Sequence, residues 1–306
     1  MSKSALEAEL ACESLHWRVR LDLQQSLFDL NTFLEYEPTT PLIKIDPTAI
    51  NVKQIDMGTM VKYKKLMSGV VSRPAPGRKL AFFVTHNKYL LGLITLASPV
   101  INLAVRDEYL GLKENKGKLL RQYMDISICV GAQPVSWYWN IGKLLAMISY
   151  TLTDYVEERY PDDKLIGLTT TGINGKSAQY NRVYKFLGYT KGFGHEHISD
   201  YEYHEMISWM KKNNIEVPGC RFGDGANPRM RRISAYRKAS GDKTVTLIHG
   251  NKRGVYYHEA VDSSLRQDVI NRWYERWGLP RYISKREQIP PYINGLQVAG
   301  DADDRA

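Results

Sequence analysis

Several stretches of the chain put chemistry-bearing side chains at spacings where they can act together. Arg106-Asp107 follows an apolar run. A charged pair in that position is either a buried ion pair that fixes a loop, or a substrate clamp with Asp107 as the base. Lys143, preceded by Asn140-Ile141-Gly142, stands at a helix start. Free N–H groups and the helix dipole favour a phosphate there, the plainer alternative being a solvated first-turn lysine. Arg182, Lys191 and the Gly192/Gly194 pair suit a turn that hugs phosphate, because glycines let backbone come close. His249-Gly250-Asn251-Lys252-Arg253 reads as a basic hairpin tip against a nucleic-acid backbone, or as a plain turn. Tyr256, just beyond, is a proton donor, a platform for stacking a base, or a core residue.

Other chemistries find less support. His195-Glu196-His197, with His204 and Glu205, raises a metal site, since His-x-His on a strand sets both imidazoles on one face. No spacing fixes a third ligand, so no metal is expected. There is no nucleophile-elbow signature and no Walker loop, which argues against a serine hydrolase and an ATPase. The three cysteines, Cys12, Cys129 and Cys220, stand far apart, which argues against a disulfide framework and suits a reducing compartment.

Charge is unevenly placed. The net charge is +9 over 306 residues. Residues 221–290 carry fifteen Lys/Arg against seven Asp/Glu, interleaved with Phe222, Tyr236, Tyr256, Tyr257, Trp273, Tyr274, Trp277 and Tyr282. A basic segment mixed with aromatics is the electrostatic footprint of a nucleic-acid binder. Within it, Arg229, Arg231 and Arg232 form the densest group. The alternatives are a solvated basic face and aromatics that simply pack. No apolar run reaches the roughly 18 residues a membrane helix needs. The N-terminus shows no secretory pattern, so a cytoplasmic protein without a membrane partner is expected.

The elements that must hold these residues read as mixed α/β. Residues 4–35 carry helical spacing behind a Ser4/Glu7 capping box. Glu37–Pro47 reads as a loop, and the Pro/Gly-rich stretch 70–78 marks the start of the main unit. Leu80–Thr85 and Tyr89–Leu96 predict a β-hairpin, Met124–Val130 and Leu165–Thr171 buried strands. Between those strands, Ile141, Leu144, Leu145, Ile148, Leu152, Tyr155 and Val156 predict one long amphipathic helix. Tyr180, Val183, Tyr184 and Leu187 predict a short helix opened by Ser177 and closed by Gly188. Tyr189–Ile198 predicts a strand, Asp200–Lys212 and Leu265–Trp277 helices, and Thr244–His249 with Gly254–Tyr257 a hairpin. The expected division is an N-terminal helical segment and linker (1–75), a core (76–215), and a basic nucleic-acid-binding extension that completes the sheet (216–306).

The order hairpin, strand, long helix, strand resembles the GNAT-type N-acyltransferase fold, a central mixed sheet flanked by helices. In that fold the strand before the long helix splays from the next, and the gap takes the pantetheine arm of acyl-CoA. The resemblance implies acyl-CoA or another acyl donor as cofactor, with Asn140, Gly142 and Lys143 at its pyrophosphate. Asn181-x-x-Tyr184-x-x-x-Gly188-Tyr189 is similar to the family's signature in which Asn and Tyr line the cofactor thiol.

A second resemblance rests on blocks in order. They are Val105-Arg106-Asp107, Asp125–Val130, Gly142-Lys143-Leu144-Leu145-Ala146 and Gly167-Leu168-Thr169-Thr170-Thr171, then Ser177 and Tyr180-Asn181-Arg182. Leu187-Gly188-Tyr189-Thr190-Lys191-Gly192-x-Gly194 and His249-Gly250-x-x-Arg253-Gly254-Val255-Tyr256 complete the set. Together they resemble the DruA family of the Druantia anti-phage systems, more distantly the phage Mom proteins that modify adenine in DNA. This implies a GNAT-like core that acts on DNA as a base-modifying transferase in the conflict between phage and bacterium, with defence-system or phage proteins as further partners. A catalytic base must reach both donor and DNA, which points to Asp107, Tyr184 or Tyr256. Arg106, Arg182, Lys191, Arg229, Arg231, Arg232, His249, Lys252 and Arg253 are the expected DNA contacts. Two alternatives stay open: a catalytically inactive DNA-binding module of a defence system, and an acyl-CoA-dependent acyltransferase for a protein or small molecule.

Overall fold

The computed structural model describes residues 34–68, 77–172, 175–190, 198, 200–217, 228–242 and 252–286. A short strand β1 (Thr39–Thr40) precedes β2 (Ile50–Ile55) and helix α1 (Met57–Met67). The hairpin follows as β3 (Lys79–His86) and β4 (Tyr89–Ala97), then short helices α2 (Ala104–Tyr109) and α3 (Lys116–Leu119). Next come β5 (Tyr123–Gly131), β6 (Gln133–Pro134), α4 (Val135–Trp139), α5 (Ile141–Ser149), α6 (Thr153–Arg159) and β7 (Gly167–Gly172). The remainder is β8 (Lys185–Tyr189), α7 (Asp200–Lys212), α8 (Pro228–Ser240), β9 (Gly254–Glu259), α9 (Arg266–Trp273) and α10 (Leu279–Lys285).

Seven strands make one sheet in the order β2-β3-β4-β5-β7-β9-β8. Every neighbouring pair is antiparallel except β5 and β7, which run parallel. The runs Lys79–His86 and Tyr89–Ala97 are apolar almost throughout because helices cover both faces. On one face Tyr63 of α1 packs on Phe83, Leu90 and Leu93. On the other, Leu144, Leu145 and Ile148 of α5 meet Phe82, Leu91, Ile94, Met124 and Ile126 in the main core. Each such side chain contributes on the order of 1.5–3 kcal/mol by leaving water. Among the described residues no helix is long and apolar enough to cross a membrane.

The mixed α/β class, the hairpin, the two buried strands and helix Asp200–Lys212 match the sequence reading. Four features differ. The single helix predicted over Ile141–Val156 is two helices, α5 and α6. Side-chain hydroxyls cause the break: Ser149 Oγ donates to the carbonyl of Ala146 (2.7 Å) and Thr151 Oγ1 to that of Ile148 (2.8 Å). The short helix predicted over 177–188 is instead a pair of turns running into strand β8. Arg182 takes a left-handed conformation (φ 67°) that ends any helix there. Residues 50–55, left with the N-terminal segment, form β2, the edge strand beside β3. The helix predicted over Leu265–Trp277 continues through a π-turn at Tyr274–Gly278 into α10.

Of the helix predicted at 4–35 only Leu34 and Glu35 are described, and they are not helical. Thr244–His249 lies outside the described residues. Its expected hairpin partner, β9, is paired with β7 and β8 in the sheet.

Candidate functional site

The one parallel pair of the seven-stranded sheet is also the one that comes apart. β5 and β7 are in register at Tyr123–Gly167, Met124–Leu168 and Asp125–Thr169, and then separate. The cause is visible on the other edge of β5. Thr95 opposes Ile128 while Leu96 opposes Ile126, so Ser127 is an extra residue bulged out of the ladder with β4. A bulge bends its strand and increases the twist, here at the residue where the strands part.

The gap is a cavity of about 340 Å³. Ile126–Val130 form one wall, and Thr170–Gly172 with the turn at 176–180 form the other. Lys64 and Ser68 from the end of α1 reach its mouth. Side chains cross the gap where a ladder would have run: Thr170 Oγ1 donates to the Ile126 carbonyl (3.0 Å), and Gln179 Nε2 to the Cys129 carbonyl (3.1 Å). A strand edge addressed only by side chains can also take an extended, amide-bearing ligand. Burial pushes the Cys129 thiol up to about 12.

The residues expected to bind the cofactor hold the far wall in place. Lys143 is 5% exposed. Its ammonium donates to the carbonyls of Ala178 (2.9 Å) and Asn181 (2.8 Å). Burial, with Arg182 and Arg276 nearby, pulls it from 10.5 to about 8. Asn140 takes the left-handed conformation (φ 57°) that joins α4 to α5, and its carbonyl accepts from Trp273 Nε1 (3.3 Å). A side chain on Gly142 would touch Gln179. The start of α5 is therefore covered, and its lysine is engaged with protein carbonyls rather than offered to a phosphate. Asn181 Oδ1 accepts from Tyr256 Oη (3.0 Å), which itself accepts from the Ser177 N–H (2.7 Å).

The two tyrosines expected as catalytic bases are buried and outside the lining of the cavity. Burial raises both, Tyr184 well above its ordinary value. Tyr184 Oη shares a hydrogen bond with Ser149 Oγ (2.8 Å). Arg106 is wholly buried on α2 and directs Nε (3.0 Å) and Nη2 (2.7 Å) onto Asp107 Oδ1. Asp107 also binds Lys116 and accepts from the Leu103 N–H (3.0 Å). Burial alone would raise the Asp107 carboxyl, but Lys116 and Arg106 hold it below its ordinary value. The contacts are those of an ion pair that ties α2 to the loop before it.

Sequence reasoning missed a different carboxylate. Asp125 is the last residue of β5 in register with β7; it is not itself in the lining but immediately precedes Ile126, the first residue of β5 that is. It accepts from Thr169 Oγ1 and from the Val100 N–H (3.2 Å). Burial raises its carboxyl, opposed by the Thr169 hydrogen bond and the Arg106 charge. Asp125 opens the block Asp125–Val130, but only its position in the sheet singles out its carboxylate. Gln179 and Tyr180, both lining the cavity, were missed for the same reason.

The expected DNA contacts are dispersed. Arg182 is exposed on a turn, Lys252 is exposed just before β9, and the backbone of Arg253 pairs with Thr190. Arg229 stacks over the Tyr203 ring (4.2 Å) and Arg232 donates to the Tyr203 hydroxyl (3.2 Å), so both are turned toward α7. Arg231 is half-buried on α8. Lys191, His249 and the His195–His197 stretch lie outside the described residues. Among the described residues no group of three His, Cys, Asp or Glu could hold a metal.

An open mixed sheet whose parallel neighbours part over a lined cavity defines a mixed α/β protein with a cavity at a strand divergence. The family model described as Druantia protein DruA matches residues 52–267, from within β2 to within α9, and the chain belongs to the DruA family. It is 30% identical over 246 residues to the Druantia protein DruA of Escherichia coli (strain UMEA 4076-1), a match over 72% of this chain and 61% of that relative. The chain thus spans 61% of the length of that curated relative. No solved structure matches. Membership fits a protein of an anti-phage defence system.

Proposed function

We propose that this chain is a GNAT-type transferase that modifies a base in DNA, with an acyl-CoA or another acyl thioester as donor. The observation that carries the reading is the parting of β5 and β7 after Asp125, with a bulge at Ser127 that holds the gap open. That is the place where the resemblance implies the donor arm. The donor set fits such an arm: Gln179 and the edge of β5 around Cys129 would hold its amides, and Lys64 and Lys176 at the mouth its charged end. When bound, the donor would supply a thioester acyl group, whose C–S bond breaks as the amine nitrogen bonds the acyl carbon, the thiolate leaving to be protonated from solvent. The chain's own contribution is geometry and a proton acceptor. Asp125, partly exposed where the strands part and raised by burial, would take a proton at its carboxylate from an attacking exocyclic amine. Exposed Arg182 and Lys252 would meet phosphates.

Titration calorimetry with acetyl-CoA and mass analysis of nucleosides from exposed DNA test this together. Donor binding that weakens in Gln179→Ala, and a new nucleoside mass that disappears in Asp125→Asn, are the expected results. Absence of both in the wild-type chain overturns the proposal. It would favour the DNA-binding module without a donor, which the engagement of Lys143 by Ala178 and Asn181 already suits.

A further inference from the structure

We infer that the loop Ser98–Leu103 is an apolar wedge that opens duplex DNA beside the slot; this rests on the DNA reading above and deepens it. Val100 is 53% exposed and Ile101 66%, two adjacent β-branched residues at the end of a strand that is otherwise buried. Lone exposed apolar residues are unremarkable, but these two sit on a tip held by every polar means the surroundings offer. The Val100 N–H donates to Asp125 Oδ2 (3.2 Å), and the Ile101 carbonyl accepts from Arg106 Nη2 (3.2 Å). Asn102 Oδ1 accepts from Lys116 Nζ (3.0 Å), and the Leu103 N–H donates to Asp107 Oδ2 (3.0 Å). Pro99 is buried at its base.

The anchor behind the tip is itself expensive. Arg106 is wholly buried, and its Nη1 has no hydrogen-bond partner among the described residues. A fold sustains a buried guanidinium only against a matching carboxylate, here Asp107. What that pair keeps rigid is the stretch that presents Val100 and Ile101 to solvent.

The surroundings select the occupant. Lys113 and Lys118 are exposed on the segment that Lys116 ties to the loop, against Glu108 and Glu114, and beside them Arg121 shares the single carboxylate of Asp163 with Arg78, which leaves one positive charge over. An apolar pair flanked by spare positive charge matches bases flanked by phosphates: side chains such as Ile inserted at a base step unstack it, while lysines hold the backbone. The location adds the reason. Val100 is hydrogen-bonded to Asp125, the last paired residue before the strand gap, so a base freed by the wedge emerges at the slot. Chemistry on a base requires it to leave the stack first.

The test is fluorescence of 2-aminopurine placed in a short duplex and titrated with the full chain, beside the same duplex carrying a mismatched bubble at that step. Binding by the wild type should raise the emission several-fold on the paired duplex. Val100→Ser/Ile101→Ser, with its fold checked by circular dichroism, should keep duplex affinity within about three-fold yet lose most of that rise. On the bubble it should match the wild type, because nothing is left to open. An equal rise in both proteins, or an equal deficit on the bubble, overturns the wedge. If the two open DNA alike and differ only in sedimentation, the tip is a self-association surface and the wedge is overturned as well. Wild-type binding without any rise removes the wedge alone, whereas no binding to either duplex removes the DNA reading with it.

Discussion

Replacing Asp107 by asparagine separates its two sequence-level roles, catalytic base and loop-fixing ion pair. The carboxylate is 13% exposed and faces a guanidinium that is 0% exposed. Removing one partner of a buried pair leaves the other charge uncompensated, at a cost of about 3–5 kcal/mol. Asparagine keeps one acceptor, and Lys116, which is 20% exposed, contributes only about 0.2–1 kcal/mol as a partly solvated partner. The expected loss is therefore near the lower end, about 3 kcal/mol, or about 6–12 °C in melting temperature for a domain of this size. The sign of the pH dependence follows. The folded carboxyl is held below its ordinary 3.8, so its contribution is complete above that value and is lost as pH falls through the lower, folded one. The gap between wild type and variant should be flat from pH 5 to 8 and close in stronger acid. Arg106→Met/Asp107→Leu should recover most of the loss, since a well-packed apolar pair can replace a buried ion pair. Calorimetric melting across pH reads all three. A variant that melts like the wild type but no longer modifies DNA would falsify the structural role and restore Asp107 as a base.

Two further outcomes follow from the far wall of the slot. Lys143 titrates near 8 in the folded chain against 10.5 when unfolded, so the unfolded state binds more protons between those values and stability rises with pH there. Between pH 8.5 and 9.5 the wild type should gain about 1 kcal/mol relative to Lys143→Met, measured by urea unfolding. Above pH 10 the stability of both proteins should fall together, because Tyr150 and Tyr257 are pushed up to about 12 and lose their protons later in the folded chain than in the unfolded one, while the difference between the two proteins levels off. Tyr256→Phe removes the hydroxyl shared by Ser177 and Asn181 and should cost about 1–3 kcal/mol in the same assay. It should also weaken acetyl-CoA binding, since Ser177 lines the cavity; unchanged stability would remove Tyr256 from the wall.

The sheet was legible where burial on both faces wrote a continuous apolar run, as at Leu80–Thr85 and Tyr89–Leu96, and less directly at Met124–Val130 and Leu165–Thr171, where polar residues interrupt the apolar ones and β5 is only half-buried beyond Ser127. β2 was not, because an edge strand reading Ile-Asn-Val-Lys-Gln-Ile buries only its first residue fully. The stretch 177–188 misled by its period. Tyr180 and Tyr184 are four apart and both buried, but their rings meet through a turn at 5.7 Å and not along a helix. The two walls of the slot could be named in advance, while Asp125 and Gln179 could not. Their roles depend on a ladder that stops, and a missing hydrogen bond between strands has no counterpart in local sequence.

β9 lies between β7 and β8 in the sheet, although it follows both in the chain. The two earlier strands cannot bond to each other and must wait for a latecomer some 65 residues downstream of Tyr189. Until residue 259 has left the ribosome, both edges of that seat stay open to any other extended segment. Such distant pairing slows folding and favours aggregation of incomplete chains. A stop codon ahead of Gly254 would thus do more than remove a basic tail: it would yield insoluble material in which the far wall never forms.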